Sequence, residues 1–483
     1  MHLKSHRRCL VNWALILSLG WLIVASLFLP ALVKGQEDDS GWSAPELVVY
    51  TTGRLTESAM ALVADSAGGL HLFFPHKLDE TSLISVDYVS WDGSAWSQPV
   101  DVLVTGQSGG APLVRAAIDS RQVIHLLWFD SGSTLMHASA EAAQVGSPRA
   151  WSSPHKLAKR LLSGDIAVGP DDTLYVVYGD PSLTDTVSLV TSTDGGANWS
   201  EPRPVASSGS GEVGIGEISA DVDEAGRLHM VWGEYELPDG WPPAGVFYAR
   251  SNTETGESPI LLQIAGEGYG EAGVVTVGED EVHLVWSSTV TGDGAYHSRS
   301  LDGGESWAAP DIYERGSGFS GQPSFAIDSA GALHYILGGA RTASWQDGVL
   351  SPYVHVAGED LATGTNQAEG WSPPERAEMT ITTGNRLHVV FETGFQKLWH
   401  TSKTLDAPPL PTVELPESTV TSTPQPVTPQ PEVTVAPDAT RVVVTAPLGG
   451  SSPSTDAPLR AVIAGVVAAG VVVFAALAWN QRR

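Results

Sequence analysis

Residues 192–200 read STDGGANWS, residues 300–308 read SLDGGESWA, and residues 90–96 read SWDGSAW. A catalytic loop is normally written once in a chain. A Ser-x-Asp-x-Gly-x-x-Trp phrase written twice, with a shortened third copy, marks a structural device that is built repeatedly. A second phrase recurs beside it: an Asp-containing turn, then Leu-His or its equivalent, then an apolar run. Its copies centre on His71, His125, His229, His283, His334 and His388, with Tyr175 in the remaining one. The interval is about 50 residues each time, which signals an array of equivalent units.

Each unit divides into short alternating runs separated by turn residues. In the fifth these are AGVVTVG, EVHLVW, GAYHSRS and WAAPDIY. Four short strands in about 50 residues is the size of one propeller blade. The expected fold is therefore all-β, a seven-bladed β-propeller. A third phrase, Trp-Ser-x-Pro, opens the outer strand at Trp96, Trp151, Trp199 and Trp371, with Trp307 close to it. The seventh unit lacks that phrase after its third strand, yet a spare copy stands at Trp42, before the first unit. The segment 42–50 is accordingly expected to close the last blade as its outer strand, removing an open sheet edge.

In this reading the Asp-box turn joins the third and fourth strands. The aspartate accepts bonds from the N–H groups of its own turn, glycine supplies positive φ, and Trp packs between sheets. Ser90, Asp92, Trp96, Ser192, Asp194, Gly196, Trp199, Ser300, Asp302, Gly304 and Trp307 are fold-builders on this account. The repeated histidines lie in different units and cannot converge on one ion, so they are expected to be structural hydrogen-bonding groups. No metal site and no cofactor are expected, and nothing in the sequence supports Ca2+ in the Asp-rich turns.

These phrases resemble the Asp-box, or bacterial neuraminidase repeat, of the sialidase-like propeller superfamily over about residues 42–405. The resemblance implies a propeller. Sialidases of that superfamily have six blades, a Phe/Tyr-Arg-Ile-Pro phrase, three arginines that grip the sialate carboxylate, an aspartate acid and a Tyr/Glu nucleophile pair. No Arg-Ile-Pro occurs in this chain, and the nearest arginine–proline pair, Arg203-Pro204, falls in an outer strand. Seven Asp-box blades also occur in xyloglucanase-type glycosidases and photosystem assembly factors, so the fold does not choose the chemistry.

The ends of the chain are not globular. A basic start, MHLKSHRR, precedes an apolar run over 9–33, the pattern of an export signal or anchor in 1–35. Residues 406–459 hold 12 of the 32 prolines and read as a Pro/Thr-rich stalk. Within 460–480, residues 461–479 carry no charge, close to the ~20 needed to span a bilayer. The Arg482-Arg483 pair in the tail 481–483 places that end in the cytoplasm. The single cysteine, Cys9, lies in the export segment, so the body has no disulfide. An exported body without cysteines fits a prokaryotic surface protein. The net charge of −29 argues against nucleic acid as a partner.

Non-repeating residues on the face opposite the Asp-boxes are the functional candidates. Weak catalytic candidates are Arg54, Arg115, Glu234, Glu236, Asp239 and Arg341; candidate ligand-binding aromatics are Tyr235, Trp241 and Trp345. Glu234, Tyr235, Arg341 and Trp345 are assigned to loops between second and third strands. Carboxylates beside Trp and Tyr suit sugar binding, and a spaced pair suits glycoside hydrolysis. The expected function is a membrane-anchored, extracytoplasmic module that binds a glycan or a surface protein. The alternative is a cell-surface, exo-sialidase-like glycosidase.

Overall fold

The computed structural model describes residues 41–408, apart from positions 44, 51–59, 78–83, 106–112, 131–132, 160–162, 180–184, 210–212, 237–242, 253–259, 266–268, 289–294, 313–321, 338–340, 347–348, 351–353, 356–375 and 394–396. The expected export segment, stalk and C-terminal apolar segment lie outside the described residues. Among those described, no helix is long and apolar enough to cross a membrane. One 3-10 turn, Ala142–Gln144, is the only helical element there.

The other regular elements among the described residues are strands in antiparallel sheets, and the sheets form a β-propeller. Their innermost strands are Ala61–Ala64, Val114–Ile118, Gly164–Val168, Val213–Val222, Tyr269–Val277, Ser324–Ile327 and Ala377–Thr382. We number the sheets I to VII in that order. Each inner strand touches the next, and Ala377–Thr382 touches Ala61–Ala64, which closes the ring. Six sheets have four strands. Sheet VI is irregular: its third strand, Arg341–Gln346, pairs with two short pieces, Val349–Leu350 and Val354–His355. The expectation of seven complete blades is thus met by six, with one further sheet whose outer edge is broken. The phrase expected to open that edge, at Trp371, lies outside the described residues.

Sheet VII is completed from the other end of the chain. Glu46–Tyr50 pairs with Lys397–Thr404, setting Leu47 opposite Trp399 and Glu46 opposite His400. Ser43 N–H donates to the Ser402 carbonyl at 2.8 Å, and Thr401 Oγ1 donates to the Ser43 carbonyl at 2.6 Å. Trp42 itself is not in the strand. It is buried against Ile336, Met379 and Phe391, between sheets VI and VII. An apolar ring at that point covers surface that an open edge would expose to other chains.

The repeated turns consume their own polar groups. In sheet V, Ser300 Oγ donates to Asp302 at 2.6 Å and accepts the Gly304 N–H at 2.8 Å, while Asp302 accepts the N–H groups of Glu305 and Ser306. Ser192, Asp194 and Gly196 repeat the arrangement in sheet III. The shortened copy keeps only part of it: Asp92 accepts from the N–H groups of Ser94 and Ala95. Gly304 has φ +87°, and a Cβ there would meet the Tyr248 hydroxyl of the preceding sheet. Trp307 stands edge-on to that same Tyr248 ring at 4.9 Å. The turn of one sheet therefore docks on the third strand of the one before it.

The histidines join these layers. His125 Nε2 faces Asp119 at 3.5 Å, and its Nδ1 lies 3.2 Å from His137 Nε2. A carboxylate only accepts, so His125 donates from Nε2, accepts at Nδ1, and His137 donates from Nε2. Sheet V repeats this as Glu281–His283–His297, at 3.1 and 2.8 Å. In sheets I and IV a tyrosine takes the outer place: Tyr88 and Tyr248 hydroxyls lie 2.8 Å from His71 and His229. In sheet VII the chain runs from Thr382 through His388 and His400 to Glu46, so the closing strand supplies the carboxylate. These groups hydrogen-bond within and between strands, as expected.

Candidate functional site at the axis

The face bearing the Asp turns is stapled from sheet to sheet. Ser66 N–H donates to Gln122, Ser120 bonds Asp172 through both N–H and Oγ, and Arg227 bridges Asp223 and Asp280. Those side chains are committed to holding turns together. The inner strands start from the opposite face, and their first residues carry several polar groups.

Many of those polar groups solve a backbone problem. An innermost strand has a free edge whose N–H groups must find acceptors. Ser163 Oγ accepts from Ile218 N–H and Asp165 Oδ2 from Ala220 N–H, both at 2.9 Å. Ser219 does the same for Val274, Asp221 for Thr276, and Ser324 for Met379. Side chains of one sheet thereby cap the edge of the next.

The positions two residues before the one paired with each marker residue form a collar. They are Ala61, Arg115, Asp165, Ser219, Gly273, Ser324 and Glu378. The next level, towards the Asp turns, is Val63, Ala117, Ala167, Asp221, Val275, Ala326 and Thr380, which is mainly apolar. A polar collar thus lies over a largely apolar floor.

Arg115 ties the collar across the axis. Its Nη2 donates to Gln322 Oε1, Nη1 donates to the Val114 carbonyl at 3.2 Å, and Nε lies 3.7 Å from Asp165 Oδ1. Gln322 in turn donates from Nε2 to the Ile218 carbonyl at 2.9 Å. One bridge therefore connects sheets II, VI and IV. The Arg115 and Asp165 side chains retain 15% and 16% exposure, so solvent reaches them.

Burial sets the protonation of the carboxyls here. It pushes Glu378 up to about 7, against the opposing pull of Arg115, Ser324 and Arg376, with the nearby Asp165 charge adding to the rise. Asp165 is pushed up to about 6, again chiefly by burial, against Arg115 and the Ala220 N–H. Glu378 therefore keeps its proton to higher pH than an ordinary carboxyl, and when protonated it can donate as well as accept. Towards sheet V, burial and the charges of Glu271 and Glu217 raise the Tyr235 hydroxyl. Its ring lies over Gly216, where no Cβ would fit.

Of the sequence candidates, the structure brings Arg115 to the axis. Glu234 and Tyr235 prove to be strand residues, not loop residues, because Arg227–Glu236 runs for ten residues beside Pro243–Asn252. Trp232 and Glu234 share one side of that strand. The Trp232 indole N–H donates to Glu234 Oε1 at 3.0 Å, and Glu234 is fully buried. Glu236 ends the strand and is exposed. Arg341 and Trp345 are also strand residues, in Arg341–Gln346, which pairs with Leu333–Leu337. Arg54, Asp239 and Trp241 lie outside the described residues. Among described residues, no group of three or more potential ligands is placed to hold a metal ion. Asp165, Gln322 and Glu378 were missed as candidates. The aligned repeat column 115/165/378 would have revealed two of them, because strands of a buried ring do not otherwise call for charge.

No family model matches the chain, and no curated protein matches it. Among solved structures, a protein of unknown function from Dyadobacter fermentans is similar at 11% identity and TM-score 0.46, over 76% of this chain and all of that one. The Hadza microbial sialidase Hz136 is similar at 13% identity and TM-score 0.40, over 75% and 69% of the respective chains. The Aleuria aurantia lectin, in complex with Fucalpha1-6GlcNAc, is similar at 12% identity and TM-score 0.41, over 65% and 98%. Likenesses of this size do not transfer an activity to the chain.

Proposed function

We propose that this chain is a surface-displayed propeller that binds a glycan at its axial mouth, on the face opposite the Asp turns. The observation that carries the reading is the polar collar of Arg115, Asp165, Ser324 and Glu378 over an apolar floor. A sugar ring presents hydroxyl edges and apolar C–H faces, and such a site offers a counterpart to each. The apolar segment 461–479 and the Pro/Thr-rich stretch before it support display on a stalk. The export-type N-terminus supports an extracytoplasmic body.

A second reading, a cell-surface glycosidase, is favoured by one feature. Burial raises both Glu378 and Asp165, and a carboxyl that keeps its proton towards neutral pH is what a general acid requires. Two assays separate the readings: saturable binding on a glycan array, and turnover of a fluorogenic sialoside together with a panel of glucans. Binding without turnover, lost in Arg115→Gln, supports the module. Turnover abolished by Glu378→Gln makes it an enzyme. Absence of both refutes a carbohydrate function.

A further inference from the structure

The charges around the mouth bear on which glycan it accepts. At the collar level one cation, Arg115, faces two carboxyls, Asp165 and Glu378. Beyond it, towards the entrance, Arg376 acts on Glu378, while Glu217 and Glu271 act on Tyr235. One level inward, Asp221 is pushed up by burial and answered by Thr276. Among the described residues, two cations therefore stand against five carboxyl groups. Arg115 is also committed: the Val114 carbonyl, Gln322 and Asp165 occupy its donors on three sides. An incoming carboxylate or sulfate would have to displace Gln322 and would then sit among carboxylates that share its sign.

We infer that the axial mouth selects uncharged glycans and excludes sugars bearing a carboxylate or sulfate. This rests on the glycan-binding reading and sharpens it to a ligand class. A neutral polyol adds no charge, takes bonds from Glu378 and Gln322 without breaking the Arg115 bridge, and lays its C–H face on the floor formed by Val63, Ala117, Ala167, Val275 and Ala326. The raised carboxyls show the cost of further negative charge here: each already holds its proton more tightly than it would in water.

The experiment uses the purified full chain and matched glycan pairs, identical except that one member carries a terminal sialic acid, uronic acid or sulfate. The expected result is binding of a neutral member at least tenfold tighter than its acidic counterpart. Glu378→Gln takes the carboxyl out of the collar, so at pH 8, whatever it does to the neutral member, it should narrow the gap between the two members by tenfold or more. A merely structural Glu378 would change both members alike. Tighter binding of the acidic member, dependent on Arg115, overturns the charge argument while leaving the axial site intact. Binding of glycans unaffected by both Arg115→Gln and Glu378→Gln overturns the axial site. No binding of any glycan overturns the functional reading along with the inference.

Discussion

Replacing His137 by tyrosine should make the propeller more resistant to acid. His137 is fully buried, its Nε2 hydrogen belongs to His125, and its Nδ1 has no partner. Burial, with the neighbouring His125 and His155, pushes its pKa down to about 3. The unfolded side chain titrates near ~6.5. Because the folded value is the lower one, the unfolded chain takes up the proton first as pH falls. The stabilisation is complete above about 6.5 and drains away towards about 3. Between pH 7.5 and pH 5 the loss from this group alone is about 2 kcal/mol. Tyrosine is already the outer partner in sheets I and IV, where Tyr88 and Tyr248 bond the equivalent histidines at 2.8 Å. Gly196 leaves the space beside His137 that Gly304 leaves beside Tyr248. His137→Tyr should therefore fold, and should lose about 2 kcal/mol less than the parent over that pH interval. Denaturant titrations followed by tryptophan fluorescence at the two pH values measure this. Equal losses in parent and variant would refute the assignment of acid sensitivity to the buried pair.

Other outcomes follow from the same structure. Glu378 has a folded pKa above its ordinary value, so its ionisation opposes folding increasingly as pH rises from about 4.5 through about 7. Glu378→Gln should therefore raise Tm at pH 8 and change it little at pH 4.5, read by calorimetry. Ser300→Ala removes the acceptor of the buried Gly304 N–H and should cost about 1–3 kcal/mol in denaturant unfolding. Gly304→Ala drives a Cβ into the Tyr248 hydroxyl at a left-handed position and should cost more than Ser300→Ala in the same titration. Disrupting the closing strand with Val49→Asp places a charge in the cluster of Leu398, Val390 and Phe74; size-exclusion chromatography should show soluble aggregates that the parent chain does not form.

The sequence carried the ring because its punctuation repeats. The repeated Asp turns are local devices, solved within a few residues, and their spacing measures the unit. Even the closing strand was legible, since the missing phrase in the seventh unit and the spare one at Trp42 answer each other. The axial site was not, apart from Arg115. Asp165 and Glu378 lie far apart in sequence and meet only when the ring is formed. Asp165 also has a local duty, capping Ala220 N–H, that hides its second role. Loop assignments failed at Glu234 and Arg341 for a different reason. Gly233 and the Gly338-Gly339 pair read in sequence as loop openings, yet Arg227–Glu236 runs through the first and a strand begins at Arg341.

The closing strand also sets an order of events. Glu46–Tyr50 is made early and has no partner until Lys397–Thr404 emerges, roughly 350 residues later. At ~5–20 residues per second of synthesis, that edge waits on the order of tens of seconds. During that wait, Glu46 has no His400 to bond and sheet VII does not exist. A nascent chain therefore resembles a clasp left open for the whole of its manufacture, and whatever shields Leu47 to Tyr50 in that interval governs how much of it survives to be used.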